Sequence, residues 1–219
     1  FIKFIKMGLL LFYPTPVFEK EDAIAEDFNQ RLEKWIIDYS NTNEEAKNWS
    51  KKFYGTGFTS YGSEQKLHKK EKIFSELAKE LLPHVKEFLT HIKVIPPTRI
   101  SCYDMWCTIN RPTSGHPRHI HPLSAVSGTY YVNADKDRGC LNIHDPYDNR
   151  AMGMMFEPES PLAFDTYTIE VKSKKVILFP GWVSHSVQQN LSTKDRIGVS
   201  FNYRVYYDNS GVNSPSSDP

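Results

Sequence analysis

Apolar residues recur at two spacings along this chain, and the change from one to the other divides it. From Glu19 to Tyr39 the positions Ile24, Phe28, Leu32, Trp35 and Ile36 fall every three or four residues, which predicts a helix with one buried stripe. A second run, from Glu71 to Leu82, puts Ile73, Phe74, Leu77 and Leu81 on one face. Pro83 is expected to interrupt it before a further turn through Val85 and Phe88. The stretch between them, residues 41–63, is rich in Asn, Gly, Ser and Thr and reads as a polar loop, with Tyr54, Phe58 and Tyr61 making it a candidate lid. Pro96 and Pro97 close the helical part.

After about Arg99 the period becomes two. ISCYDMWCTIN, AVSGTYYVN, GCLNIHD, TYTIEV, KKVILFP, SHSVQQN and RIGVSFNYRVYY are short β-branched and aromatic runs broken by Gly, Pro, Asn and Asp. Seven or eight such strands predict a mainly β jelly roll with flanking N-terminal α-helices, the helices covering the outside of one sheet and the barrel mouth forming the pocket. The 219 residues fit a single domain, with an N-terminal strand and supporting helices over 1–98, a jelly-roll core over 99–208 and a flexible tail over 209–219.

Charge narrows the partners. Lys and Arg number 27 against 26 Asp and Glu, a balance of +1, so no long-range field argues for nucleic acid or an anionic membrane. The apolar start FIKFIKMGLLLFYPTPVF has two early lysines like a weak signal sequence, but Pro14 and Pro16 cut it short and no small-residue cleavage site follows. It reads as an N-terminal strand preceded by leader residues. No apolar run is long enough to span a bilayer. Cys102, Cys107 and Cys140 are odd in number and lack zinc-like spacing, which points to a reducing, cytoplasmic compartment. Exposed edge strands make a homodimer the expected oligomer.

Candidate chemistry sits in His119-Ile120-His121-Pro122 and in a distant His185 within FPGWVSHSV, followed by Arg196. In a strand, residues i and i+2 point the same way, so His119 and His121 offer two imidazoles on one face and His185 can close on them from another strand. Three imidazoles, or two and a carboxylate, leave open positions on an octahedral iron. The third ligand is either His121, in a three-histidine set, or Asp145 of the HDP segment, whose commoner fate before Pro146 is to form a turn. Arg196, Gly198, Ser200 and Asn202 share one polar strand face, and a guanidinium in a small pocket pairs with a planar carboxylate. Tyr130 and Tyr131 must point to opposite faces, one of them to the pocket. Ser127-Gly128 is expected to allow close backbone approach. Trp106 reads as core, Trp182 as a loop anchor or a shield over the metal, Asn110 as a ligand-orienting or turn residue, and His116 as a mobile loop residue.

HIHPLSAVSGTYYV, GCLNIHDP, VILFPGWVSHSV and RIGVSFN together resemble the 2-oxoglutarate and Fe(II)-dependent oxygenase superfamily, and most closely its small bacterial and phage branch with an H-x-H-P motif. The resemblance runs from Trp106 to Asn202. It implies a double-stranded β-helix, Fe(II), and 2-oxoglutarate as cosubstrate, with His119 as first ligand, His185 as distal ligand and Arg196, eleven residues on, holding the far carboxylate. Tyr131, Asn110 and Ser200 are the implied cosubstrate neighbours. The implied activity is a dioxygenase, a hydroxylase that couples 2-oxoglutarate decarboxylation to oxidation of a small-molecule or peptide substrate. The departure is His121, where the superfamily has a carboxylate; this leaves the iron site one charge more positive. The alternative reading is a cupin-like metal-dependent enzyme, or a small-acid-binding protein, that does not use 2-oxoglutarate.

Overall fold

The computed structural model describes residues 14–147, 155–157, 160 and 163–208; the expected leader and polar tail lie outside them. Two antiparallel sheets face each other. The larger contains β1 (Phe18–Lys20), β2 (Phe58–Thr59), β3 (Arg99–Asn110), β5 (Val126–Asn133), β8 (Val176–Phe179) and β10 (Arg196–Tyr206), in the spatial order β1-β8-β5-β10-β3-β2. The smaller contains β4 (His116–His119), β6 (Leu141–His144), β7 (Thr166–Ile169) and β9 (His185–Val187), ordered β4-β9-β6-β7. This is the double-stranded β-helix the sequence pattern predicts.

Strand alternation decides what each face of the larger sheet meets. Met105, Cys107 and Ile109 of β3, with Ile197, Val199, Phe201 and Tyr203 of β10, point outward into the main apolar cluster. The residues between them point inward and line a cavity. The outward face is covered by α1 (Glu26–Thr42) and α4 (Lys72–His91), through Phe28, Leu32 and Ile36 from the first and Phe74, Leu77, Leu81, Val85 and Phe88 from the second. Tyr130 and Tyr131 divide as alternation requires. Tyr130 is buried under α1, its hydroxyl donating to Asn29 Oδ1 at 2.7 Å, and Tyr131 lines the cavity. A smaller cluster, including Leu141, Ile143, Ile177 and Phe179, fills the space between the sheets beside the cavity, with Leu141 and Phe179 in the cavity wall.

Three elements differ from the sequence expectations. Helix α1 begins at Glu26, because Glu19 belongs to β1, which pairs with β8, and the chain turns at Asp22 with φ of 47° before the helix starts. Helix α4 runs through Pro83 without ending. One continuous stripe of fully buried residues, Leu81 and Val85 among them, flanks the proline, and this packing outweighs the lost backbone bond. The polar stretch 41–63 contains a helix, α2 (Glu44–Phe53), capped by Asn43, whose side chain accepts from the Ala46 N–H at 2.8 Å. Its first turn carries Glu44 and Glu45 and its last Lys51 and Lys52, matching the helix dipole. A one-turn helix, α3 (Leu67–Lys70), leads into α4. No helix among the described residues is long and apolar enough to cross a membrane.

Candidate metal centre

His119 and His185 are register partners across β4 and β9, with ring centroids 4.2 Å apart. His119 closes β4 and does not open a strand, so His121 lies beyond strand pairing. Its backbone N–H is held instead by the Gly181 carbonyl at 2.8 Å. This contact needs a glycine: a Cβ at 181 would come within 2.6 Å of the His121 carbonyl oxygen and 2.4 Å of the Ser124 oxygen. The His121 ring then sits 5.0 Å from that of His185, and one nitrogen from each of the three histidines lies within 4.8 Å of the others.

The outer sides of the rings fix their tautomers. His119 Nδ1 is 2.8 Å from the Pro117 carbonyl oxygen, and His185 Nδ1 is 2.9 Å from that of Val183. A carbonyl oxygen only accepts, so each Nδ1 carries the proton and each Nε2 offers a lone pair inward. Burial lowers all three pKa values, that of His185 to about 3 and that of His121 to about 4, and the neighbouring imidazoles add to the effect. Hydrogen bonds to Pro117, Asn202 and Val183 oppose it. At neutral pH the centre is therefore three neutral nitrogen donors converging from one side. That donor set fits a divalent first-row ion with open positions on its far side.

Asp145 is not brought to this centre. It lies past the end of β6, where its Oδ1 accepts from the Tyr147 N–H at 2.9 Å, the turn-forming role of an Asp before proline. His116 is no mobile loop residue; it pairs with Val187 in β4 and its ring lies 4.3 Å from that of His119. Trp106 is buried, as expected, but on the cavity face, stacked against His121 at 5.8 Å. Trp182 is 52% exposed and does not line the cavity. Gly128 does allow close approach, since a Cβ there would sit 2.5 Å from the Ile177 carbonyl oxygen.

The cavity has a volume of about 390 Å³ and holds the histidines in its wall. At one end, Arg196 opens β10 opposite Asn110 of β3. The guanidinium is buried, donates to the Gly139 carbonyl, lies 6.0 Å from the Tyr131 ring and has no Asp or Glu partner among the described residues. Asn110 Nδ2 is likewise buried with no partner, and Tyr54, with its phenol pKa raised by burial, faces the same end. Ser200 lines the wall between, 3.3 Å from the Thr129 hydroxyl. The sequence reading missed Asp104, Thr108 and Trp49 as lining residues. The first two were available from period-two counting back from Asn110 along β3; Trp49 required the helix α2.

Two sheets closing on a polar cavity with three convergent imidazoles define a non-haem metal-centre protein of the double-stranded β-helix class. Residues 104–202, the stretch that contains the three histidines and Arg196, match the family model described as "Putative 2OG-Fe(II) oxygenase". A search of curated proteins by sequence finds no match. Among solved structures, the chain resembles HygX from Streptomyces hygroscopicus with nickel, 2-oxoglutarate and hygromycin B bound, at 11% identity over 87% of this chain and 83% of HygX, with a TM-score of 0.60. It also resembles the α-ketoglutarate-dependent epimerase SnoN from nogalamycin biosynthesis, at 11% identity over 94% and 87% of the two chains and a TM-score of 0.62. For a Pseudomonas putida prolyl-4-hydroxylase the values are 10%, 87%, 93% and 0.58. At these identities the likeness is one of fold.

Proposed function

We propose that His119, His121 and His185 hold Fe(II), that Arg196 receives the far carboxylate of 2-oxoglutarate, and that the enzyme hydroxylates a small molecule or a peptide side chain. The observation that carries this reading is the buried Arg196 with no carboxylate partner among the described residues, in the same cavity as three neutral imidazoles. A buried guanidinium is costly unless an anion meets it, and a planar carboxylate matches its fork. When bound, the iron supplies the site at which the oxo acid and dioxygen react, giving succinate, carbon dioxide and an oxidised substrate carbon.

The chain's own residues bind, orient and dry that site. Pro117 and Val183 carbonyls hold two imidazoles with Nε2 inward, and Trp106 backs the third. Arg196 fixes one end of the cosubstrate, and Tyr131 and Asn110 border that end as further hydrogen-bonding groups. Phe179, packed 4.6 Å from the His185 ring, helps keep water from the metal's protein side. All three cysteines are free thiols, which supports a reducing, cytoplasmic location. The edge strand β7, with Tyr167 largely exposed, supports pairing of two copies as a homodimer, which light scattering reads directly.

The test is anaerobic titration of Fe(II)-loaded protein with 2-oxoglutarate, watching for the visible metal-to-ligand charge-transfer band of a chelated oxo acid. The band should appear with one equivalent, and Arg196→Ala should shift the titration at least tenfold while iron stays bound. Bound iron with no band would return the protein to the cupin-like alternative, which the histidine at 121 favours.

A further inference from the structure

The cavity is charged at both ends, and with opposite sign. Among the described residues Asp104 is the only carboxylate in its lining and Arg196 the only lysine or arginine. The two are six residues apart in the paired register of β3 and β10, where Asn202 faces Asp104 and Arg196 faces Asn110. At about 3.3 Å per residue that is roughly 20 Å of strand. Trp106, stacked on His121, lies between them and places the histidines along the middle. With the cosubstrate at the Arg196 end, the Asp104 end is left for the molecule that is oxidised.

Asp104 is poorly satisfied by the protein. Among the described residues its carboxylate receives only a long 3.5 Å contact from Asn202 Nδ2, and no lysine or arginine pairs with it. Lys66 and Arg204 lie over the Tyr103 ring, 5.1 and 3.4 Å from its centroid, and His68 lies close enough to feel the Asp104 charge. Aromatic rings surround the same end. Tyr61 meets Trp106 edge-on at 5.1 Å, and Trp49 faces the cavity from α2. A carboxylate beside indole and phenol faces is the chemistry that selects an organic cation over a neutral group of the same shape.

We propose that the substrate carries an alkylammonium or guanidinium group, held at Asp104 among Trp106, Tyr61 and Trp49, with the carbon to be oxidised lying toward the histidines. This rests on the assignment of the Arg196 end to 2-oxoglutarate. The probes are choline and its neutral isostere 3,3-dimethylbutan-1-ol, titrated by calorimetry into anaerobic protein loaded with Fe(II) and 2-oxoglutarate, and into protein with Fe(II) alone.

Choline should bind at least tenfold more tightly than the alcohol. Asp104→Asn should erase that preference while still binding Fe(II), and Asp104→Glu should keep part of it. Equal binding of the two probes, or no binding of choline, overturns the proposal. So does an Asp104→Asn protein whose iron affinity falls while its preference for the cation remains, since Asp104 would then act through Asn202 on His121. The calorimetric preference does not depend on the charge-transfer band, so loss of the 2-oxoglutarate reading and loss of the cation site are separate results.

Discussion

At the residue scale, His119 and His185 each have Nδ1 committed outward to a carbonyl and Nε2 turned inward, and the protein gathers them with His121 without a carboxylate in the set. His185→Ala should abolish stoichiometric iron binding in a folded protein, measured by metal analysis after gel filtration. His121→Ala should lose most of it, and Asp145→Ala should retain it in full. Full occupancy in the His121 variant would dismiss the three-histidine centre. Acid sensitivity follows from the same groups. Their folded pKa values lie below the ordinary 6.5, so between about 6.5 and about 4 the unfolded chain takes up protons that the native one refuses. The metal-free protein should have its full thermal stability above about pH 6.5 and lose it steadily as the pH falls toward 4. A melting temperature independent of pH across that window would show that these histidines are not buried in neutral form.

Elements carry the next level of specificity, and here the sequence was readable only in part. The alternation along β10 exposed the polar face that includes Arg196, Ser200 and Asn202, because a period of two survives any tertiary context, whereas the matching face of β3 went unread. The helix α2 was hidden by its composition: only Ala46 and Ser50 are buried, too small to register as an apolar stripe, and Asn43 with its two following glutamates was the remaining signal. Pro83 misled in the opposite direction, since packing on both sides overrode a local rule. His121 was placed correctly toward its partners but for an incomplete reason; a loop contact holds it, and strand pairing does not. That contact is testable. Gly181→Ala forces a Cβ against two carbonyl oxygens of the 121–124 turn, so it should weaken iron binding tenfold or more while costing about 1–3 kcal/mol of stability in urea unfolding. Unchanged iron affinity would show that the turn does not position His121.

For the whole molecule, the decisive feature is that helices and barrel share one apolar cluster. Trp35 of α1 packs with Phe74 of α4, and Trp106 reports from inside the barrel. If residues 18–206 are one cooperative domain, helix content by circular dichroism and tryptophan fluorescence should trace a single urea transition; two separated midpoints would divide the helices from the barrel. The family match covers 104–202 and contains the histidines, Arg196 and Asp104. Tyr54, Tyr61 and Trp49 reach the same cavity from α2 and the segment after it, outside that match. Part of the cavity wall is thus written outside the stretch that carries the histidines, Arg196 and Asp104. The barrel can keep its reaction while residues 44–66 change, so exchanging that stretch between two relatives that share Asp104 should alter which body of substrate is accepted around a common cation, without transferring catalysis.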